Sequence, residues 1–325
     1  MLNFFKSNKI NRLVFLTILI FGSQIPVIFG ESTYDLSGNS FLTQLIFSKL
    51  YSPENQTLLY ILTGFVLSFV VFFSIYYINK FRLLLDNNFL YGYLFLFFII
   101  LLPHSPLFLI DLVSMSLIIA AVFTLQLAYF EDSSSFDYFN AATLLSLASL
   151  INHHLVLFFF LIPLAFINAG KGKYKEILAA LFGFLTPLYL LFGIHFFVVG
   201  NFIVSPLPFS NLIPTFKSIP SFEYTEIAGI GFTALLLLFG IVHTSVKYSA
   251  LNNSHKDSFK FLLHSFLLTL LMVVLYPSKT EYFIPIMAFL TVVPTTLFFN
   301  NPEKKIFKEI VFDSLLLFII ISYLL

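Results

Sequence analysis

Cysteine and tryptophan are absent from this chain of 325 residues, and charged residues make up only 10% of it. The lack of cysteine excludes disulfides, thiolate metal sites and cysteine nucleophiles. Ordinary soluble domains carry about 25% charged residues, so the low charge content excludes a water-soluble enzyme. The net charge of +1 also gives no general attraction to nucleic acid.

The chain is instead rich in apolar and aromatic residues. Hydrophobic residues make up 59% of it, and 46 residues are Phe. This composition excludes a disordered chain and leaves a polytopic membrane protein as the class of protein. The sequence contains no Walker loop, G-x-S-x-G elbow, H-E-x-x-H zinc pair or G-x-G-x-x-G loop. It therefore gives no support to ATP-driven or dinucleotide-dependent chemistry.

A helix that crosses a bilayer needs about 20 apolar residues, and eight stretches of the sequence are predicted to be such spans. They cover residues 13–30, 57–79, 107–129, 177–199, 227–246, 260–276, 282–299 and 309–325. A shorter helix is predicted over 89–103, because Pro103 and Pro106 break the long apolar run that continues to 129. Residues 139–169, interrupted at Asn152, fit either one long tilted span or a hairpin of two short helices.

The distribution of Lys and Arg favours the hairpin. With a hairpin, fourteen of these residues lie on one side of the membrane, and only Lys49, Lys217 and Lys279 lie on the other. A single span instead divides them seven to ten, against the positive-inside rule. We therefore predict an all-α fold with about eleven membrane segments, a cytoplasmic N-terminus and an extracytoplasmic C-terminus.

The predicted segments form one transmembrane domain over residues 1–325, with two long outer loops at 31–56 and 200–226. In the first loop, apolar residues from Phe41 to Leu50 recur at helical spacing, which predicts a helix lying in the membrane interface. The abundance of Phe, Ile, Asn and Lys resembles that of inner-membrane proteins from AT-rich bacteria. The expected location is therefore the bacterial inner membrane, with the lipid bilayer as the surrounding partner.

Many of the scarce polar and ionisable residues are predicted at the outer edge of the membrane. They are Glu31, Asp35, His104, Asp111, His153, His154, His195, Glu223, Glu226, Lys279, Glu281 and Tyr282. Ionisable groups in or beside membrane helices are costly and often mark functional sites.

Simpler roles are open for several of these residues. Asp111 also suits the first turn of a helix, where the helix dipole favours a carboxylate. Glu31 and Asp35 also suit a solvated loop, and His195 suits helix packing. The histidines and nearby carboxylates are suitable ligands for a divalent metal, although their spacing is not diagnostic of one.

Four short stretches share a pattern with a known family. The acids of residues 31–35 follow the first span and precede the amphipathic stretch. The break at 103–106 is followed by Asp111, residues 147–154 carry His153-His154, and residues 279–285 run from Lys279 to Pro285. Together these stretches resemble the GT-C superfamily of glycosyltransferases, which use polyprenyl-phosphate sugar donors.

The resemblance implies a membrane enzyme that transfers a sugar from a polyprenyl-phosphate donor on the extracytoplasmic face. It implies Asp35 or Glu31 as the general base that takes a proton from the acceptor hydroxyl. It also implies a set of residues that bind or orient the donor, namely His153, His154, Lys279, His104, Asp111 and Tyr282.

Two other functions are open. A non-catalytic membrane scaffold, or assembly partner of other membrane proteins, is favoured by Glu281, which stands where the superfamily often has Arg. A transporter is less favoured, because transporters place polar groups near the midplane of paired repeats. Here the polar groups are predicted at one edge, and the sequence shows no internal repeat.

Overall fold

The computed structural model describes most of the helices of this chain and a few residues of the first outer loop. The described residues are 5, 10–23, 43, 47, 50–51, 55–81, 89–101, 109–130, 135–169, 174–200, 224–247, 253–276, 280–300 and 305–324. Within these residues the regular structure is entirely helical.

Eleven α-helices and one 3₁₀ helix are described. They are α1 (Ile10–Gly22), α2 (Gln56–Lys80), α3 (Leu90–Leu101), α4 (Leu109–Phe130), α5 (Ser135–Ile151), the 3₁₀ helix (His153–Phe160), α6 (Leu161–Ala169), α7 (Tyr174–Val199), α8 (Tyr224–Lys247), α9 (Asn253–Leu275), α10 (Thr280–Asn300) and α11 (Lys305–Leu324).

Five of the described helices, α2, α4, α7, α8 and α9, are long and apolar enough to cross a membrane. Large apolar side chains point away from the bundle, among them Phe65, Tyr189 and Phe197, which are 62%, 83% and 87% exposed. So much exposed apolar surface suits contact with lipid and would promote aggregation in water. The prediction of an all-helical, multi-pass membrane protein is confirmed at this level, and the number of crossings stays a prediction.

The predicted break at 103–106 separates two helices. Helix α3 ends at Leu101 and α4 begins at Leu109. Residues 102–108, which include His104, lie outside the described residues. The end of α3 agrees with the two prolines that follow it, since proline lacks the amide needed to continue a helix.

Only part of the two predicted outer loops is described. In the first loop (31–56), the amides of Leu50 and Tyr51 both donate to the Phe47 carbonyl, at 3.0 and 3.1 Å, which makes one helical turn. The remainder of the predicted interfacial helix and most of the second loop (200–226) lie outside the described residues.

The chain reverses direction at Asn152. The Tyr138 ring, near the start of α5, lies 4.6 Å from the Phe166 ring, near the end of α6. Two residues at opposite ends of one long helix are unable to meet in this way, since each residue advances a helix by about 1.5 Å. The structure thus agrees with the hairpin and not with a single span over 139–169.

Helix α7 then runs parallel to α5. The Thr143 hydroxyl donates to the Gly183 carbonyl at 3.1 Å, and further along both helices Leu150 packs against Leu191. A parallel neighbour requires an intervening segment that runs back, which the 3₁₀ helix and α6 provide.

The contacts between helices sort their ends into two groups. The Tyr77 hydroxyl donates to Gln126, and the Gln126 amide donates to the Ser258 carbonyl at 3.3 Å. These contacts join the end of α2, the end of α4 and the start of α9. At the opposite end, His154 lies against Tyr276, which follows α9.

The described Lys and Arg side chains lie toward the end marked by Gln126. They lie at the starts of α1, α7, α9 and α11 and at the end of α2. These residues are Arg12, Lys80, Lys175, Lys256, Lys260, Lys305 and Lys308. We call this the basic end, and the end that carries His153 and His154 the histidine end. For the described residues, the placement of Lys and Arg at one end of the bundle agrees with the hairpin, which predicts most Lys and Arg residues on one side of the membrane.

Gly183 allows α5 and α7 to approach closely, because a Cβ at this position would overlap the Phe139 carbonyl oxygen. We expect Gly183→Ala to lower the free energy of unfolding by about 1–3 kcal/mol, as overpacking does. Gly193 lies on the same helix with open space around it, so Gly193→Ala should change stability little or raise it by about 1 kcal/mol. Thermal unfolding in detergent compares the two variants, and equal midpoints would contradict this packing.

The absence of cysteine allows a direct test of the hairpin and its orientation. A membrane-impermeant maleimide applied to intact cells should label Ser210→Cys, and should label Lys173→Cys only after lysis. The reason is that a hairpin with a cytoplasmic N-terminus puts residue 210 outside and residue 173 inside. A single span over 139–169 predicts the reverse pattern, so labelling of Lys173→Cys alone would overturn the topology.

Candidate functional site

Asn152 forms the turn that ends α5 and begins the 3₁₀ helix. Its backbone is extended, with φ −131° and ψ 105°. The Asn152 side-chain oxygen accepts a hydrogen bond from the His154 amide at 3.2 Å, which is how Asn commonly caps the start of a helix. The Leu155 amide donates to the Asn152 carbonyl at 3.0 Å. The sequence Asn-His-His therefore forms a tight hairpin tip.

Two imidazole rings and one phenol ring pack together at this tip. The centroids of the His153 and His154 rings are 4.0 Å apart, and the His154 and Tyr276 centroids are 5.0 Å apart. All three residues are buried, with 7%, 5% and 6% exposed. We call His153, His154 and Tyr276 the histidine cluster, and it joins the hairpin tip to the end of α9.

The cluster offers hydrogen-bonding groups in a place of low solvent access. A tyrosine hydroxyl is protonated at physiological pH, so Tyr276 is able to donate a hydrogen bond. A neutral imidazole has one donor and one acceptor nitrogen. The three side chains therefore carry the groups needed to bind an oxygen-rich ligand.

The described residues of the predicted first outer loop contact the hairpin tip and the start of α4. The Thr43 hydroxyl donates to the Ile151 carbonyl at 2.8 Å, and this bond is buried. Phe47 lies in one apolar cluster with Ile110 and Ile151, and the Ile110 amide donates to the Tyr51 hydroxyl at 3.4 Å. The loop thus bridges the start of α4 and the end of α5.

Asp111 lies in the first turn of α4 and is 7% exposed. The position agrees with the simple role in which the helix dipole stabilises the carboxylate. It also lies at the histidine end, directly after Ile110 of the apolar cluster that includes Ile151. Among the described residues, no three His, Asp or Glu side chains lie close enough together to hold a metal ion.

His195 lies on the face of α7 that packs on α5. It is buried, whereas Phe196, Phe197 and Val198 beside it are exposed. Leu191, one turn earlier, packs against Leu150 of α5, so His195 lies near the level of the hairpin tip. Its burial on this face agrees with the expected role in helix packing.

The predicted site residues divide into those that the structure brings together and those that it does not describe. His153, His154 and Asp111 lie at the histidine end. Glu31, Asp35, His104 and Lys279 lie outside the described residues, and Tyr282 is in α10 with a side chain outside them.

Sequence reasoning missed Tyr276 and Thr43 as parts of this site. Tyr276 resembles an ordinary aromatic residue at the end of a span, and Thr43 lies in a loop where hydroxyls are common. One signal was present for Tyr276, since it directly precedes Pro277 and lies three residues before Lys279. Only contacts between distant helices reveal its neighbour His154.

These features define a class: an all-helical membrane protein with a buried histidine–tyrosine cluster at one end of its helix bundle. No family model matches the chain, and neither a curated protein nor a solved structure is significantly similar to it. The functional argument therefore depends on the residues of the site.

Thr43→Val tests whether the first outer loop is held by its bond to the hairpin tip. The variant leaves the buried Ile151 carbonyl without its donor, and we expect a loss of about 1–3 kcal/mol in stability. Thr186→Val is the control, because the Thr186 hydroxyl is exposed and bonds only within its own helix. Thermal unfolding and protease cleavage of the loop are the measurements, and identical behaviour of both variants would contradict the contact.

Proposed function

We propose that this protein is a GT-C-like glycosyltransferase that transfers a sugar from a polyprenyl-phosphate donor at its histidine end. One observation carries the proposal. Three segments that are distant in sequence, at Thr43, at Asn152 to His154 and at Tyr276, meet at the end of the bundle opposite the basic residues. Residues 152–154 belong to a stretch that carries the family resemblance, Thr43 follows the acids of another by eight residues, and Tyr276 precedes Lys279 of a third by three.

The expected orientation agrees with a lipid-linked donor. By the positive-inside rule the basic end faces the cytoplasm, so the histidine end lies on the extracytoplasmic side. In a bacterium this is the outer face of the inner membrane, where an acceptor and a polyprenyl-phosphate sugar both have access to the site.

The transfer step needs a base and a means of stabilising the leaving phosphate. The acceptor oxygen forms a bond to the anomeric carbon of the sugar while the bond from that carbon to the lipid phosphate oxygen breaks. The electron pair stays with the phosphate, and the acceptor proton passes to the carboxylate of Asp35 or Glu31. These acids precede the docked Thr43 by eight and twelve residues in the sequence.

The histidine cluster is suited to the phosphate side of this step. His153, His154 and Tyr276 supply hydrogen-bond donors from a buried position, where donors stabilise developing negative charge more strongly than they do in water. Lys279, three residues after Tyr276 in the sequence, supplies the positive charge. In this proposal Asp111 and Tyr282 orient the cluster, and His104 adds a further contact to the donor.

Single substitutions test the proposal in membranes supplied with a polyprenyl-phosphate sugar. Replacing the base, as Asp35→Asn or Glu31→Gln, should lower the transfer rate by about 10²–10⁴-fold for whichever residue acts. His153→Gln and Lys279→Gln should also lower it, because they weaken phosphate binding. His243→Gln is the control, since His243 lies beside Phe298 toward the basic end. Full activity in all four site variants would overturn the assignment.

The burial of the histidine cluster also favours a second function, that of a membrane scaffold without chemistry. Both imidazole rings pack on aromatic neighbours, an arrangement that by itself stabilises the hairpin tip. On this alternative, His153→Gln lowers the thermal midpoint, and a crosslinked partner protein is recovered through the outer loops. Absence of any stable crosslinked partner would count against the scaffold.

A further inference from the structure

A groove lies between α8 and α9, on the lipid-facing side of the bundle and far from the histidine cluster. Its walls include Leu237 and Ile241 of α8 and Phe259 and Phe266 of α9, and its floor includes Val293 of α10. The empty space of about 310 Å³ in the groove includes space that is open to the surroundings, so this is a surface groove and not an enclosed cavity. Every residue that lines it is apolar.

Exposed apolar side chains surround the opening of the groove, which suits contact with lipid rather than with water. Leu238 and Val242 beside it on α8 are 61% and 62% exposed, and Leu267 on α9 is 51% exposed. These side chains belong to helices that are long and apolar enough to cross the membrane. An elongated apolar chain from the bilayer is therefore the kind of ligand that this space admits.

Positive charge lies at one mouth of the groove. Lys256 and Lys260 precede Leu263, which lines the groove, by seven and three residues on α9. At about 100° per residue, Lys260 lies one turn and Lys256 two turns toward the basic end, about 60° and 20° from Leu263 around the helix. Asp257 lies 3.6 Å from Lys260, and the Lys260 and Asp257 side chains are 52% and 38% exposed. Solvent partly screens this pair, and with two lysines and one aspartate the net charge at the mouth stays positive.

We propose that the groove binds one acyl chain of an anionic glycerophospholipid, with its phosphate beside Lys256 and Lys260. The apolar walls recognise the chain, and the two lysines select an anionic headgroup over a zwitterionic one. A lysine near an anionic membrane surface favours binding by about fivefold, so two lysines give a preference of roughly tenfold or more. The site lies at the end opposite the proposed sugar-transfer site and is independent of it.

The absence of tryptophan makes a fluorescence test direct, because one introduced Trp is the only such reporter in the full chain. Phe266→Trp puts the reporter in the groove, and Phe69→Trp puts it near the middle of α2, on an exposed face away from Lys256 and Lys260. Each protein is reconstituted in phosphatidylcholine vesicles with a minor fraction of lipid carrying brominated chains, which quench Trp. The brominated lipid is either phosphatidylglycerol or phosphatidylcholine.

For Phe266→Trp we expect brominated phosphatidylglycerol to bind about tenfold more strongly than brominated phosphatidylcholine. For Phe69→Trp the two lipids should quench equally. Adding Lys256→Gln and Lys260→Gln to Phe266→Trp should abolish the preference and leave quenching by phosphatidylcholine unchanged.

Three results would overturn the proposal. Equal quenching of the groove Trp by both lipids would mean that no headgroup is selected. Quenching by neither lipid would mean that protein covers the groove. A preference for phosphatidylglycerol that persists without both lysines would mean that other residues select the headgroup. Phe259→Trp, at the mouth of the groove, provides the same measurement if Phe266→Trp does not fold.

Discussion

The reversal of the chain at Asn152 is the local interaction on which the arrangement of the bundle depends. The Asn152 side-chain oxygen accepts a hydrogen bond from the His154 amide at the point where α5 ends. The chain therefore turns back after only a short helix. This turn makes α7 parallel to α5. Without it every later helix would run in the opposite direction, and the basic residues would be divided between both ends.

Polar side chains inside the bundle follow one rule, because lipid offers no hydrogen bonds. Several buried hydroxyls donate to a carbonyl one turn earlier in their own helix, as Thr63 does to Leu59 and Thr269 does to Ser265. Gln126 instead links three helices through Tyr77 and Ser258. Polar groups thus form hydrogen bonds within and between the helices. The bonds between helices favour particular pairs of helices, which apolar packing alone does not select.

The two ends of the bundle differ in chemistry. The basic end carries the described lysines and arginine, some of them over aromatic rings, as Lys80 is over Phe123 and Lys308 over Phe298. The histidine end carries imidazole and phenol groups and one described carboxylate side chain, Asp111. A cation-rich end suits an anionic membrane surface, whereas buried imidazole and phenol groups suit recognition of a specific ligand. The proposed phospholipid headgroup accordingly lies at the basic end, and the proposed sugar-transfer site lies at the histidine end.

Sequence patterns are enough to establish the class of protein, the separation of α3 from α4 at the prolines and, through the lysines and arginines, the hairpin at Asn152. These features depend on neighbouring residues or on sums over a segment: the hydropathy of a span, a missing amide, a count of charges. The positions of Tyr276 and Thr43 at the hairpin tip, and the groove that α8 and α9 leave over α10, depend instead on tertiary packing. Such neighbours depend on which helices pack together and at what height, because lipid-facing and protein-facing surfaces are equally apolar here and leave no periodic signal in the sequence.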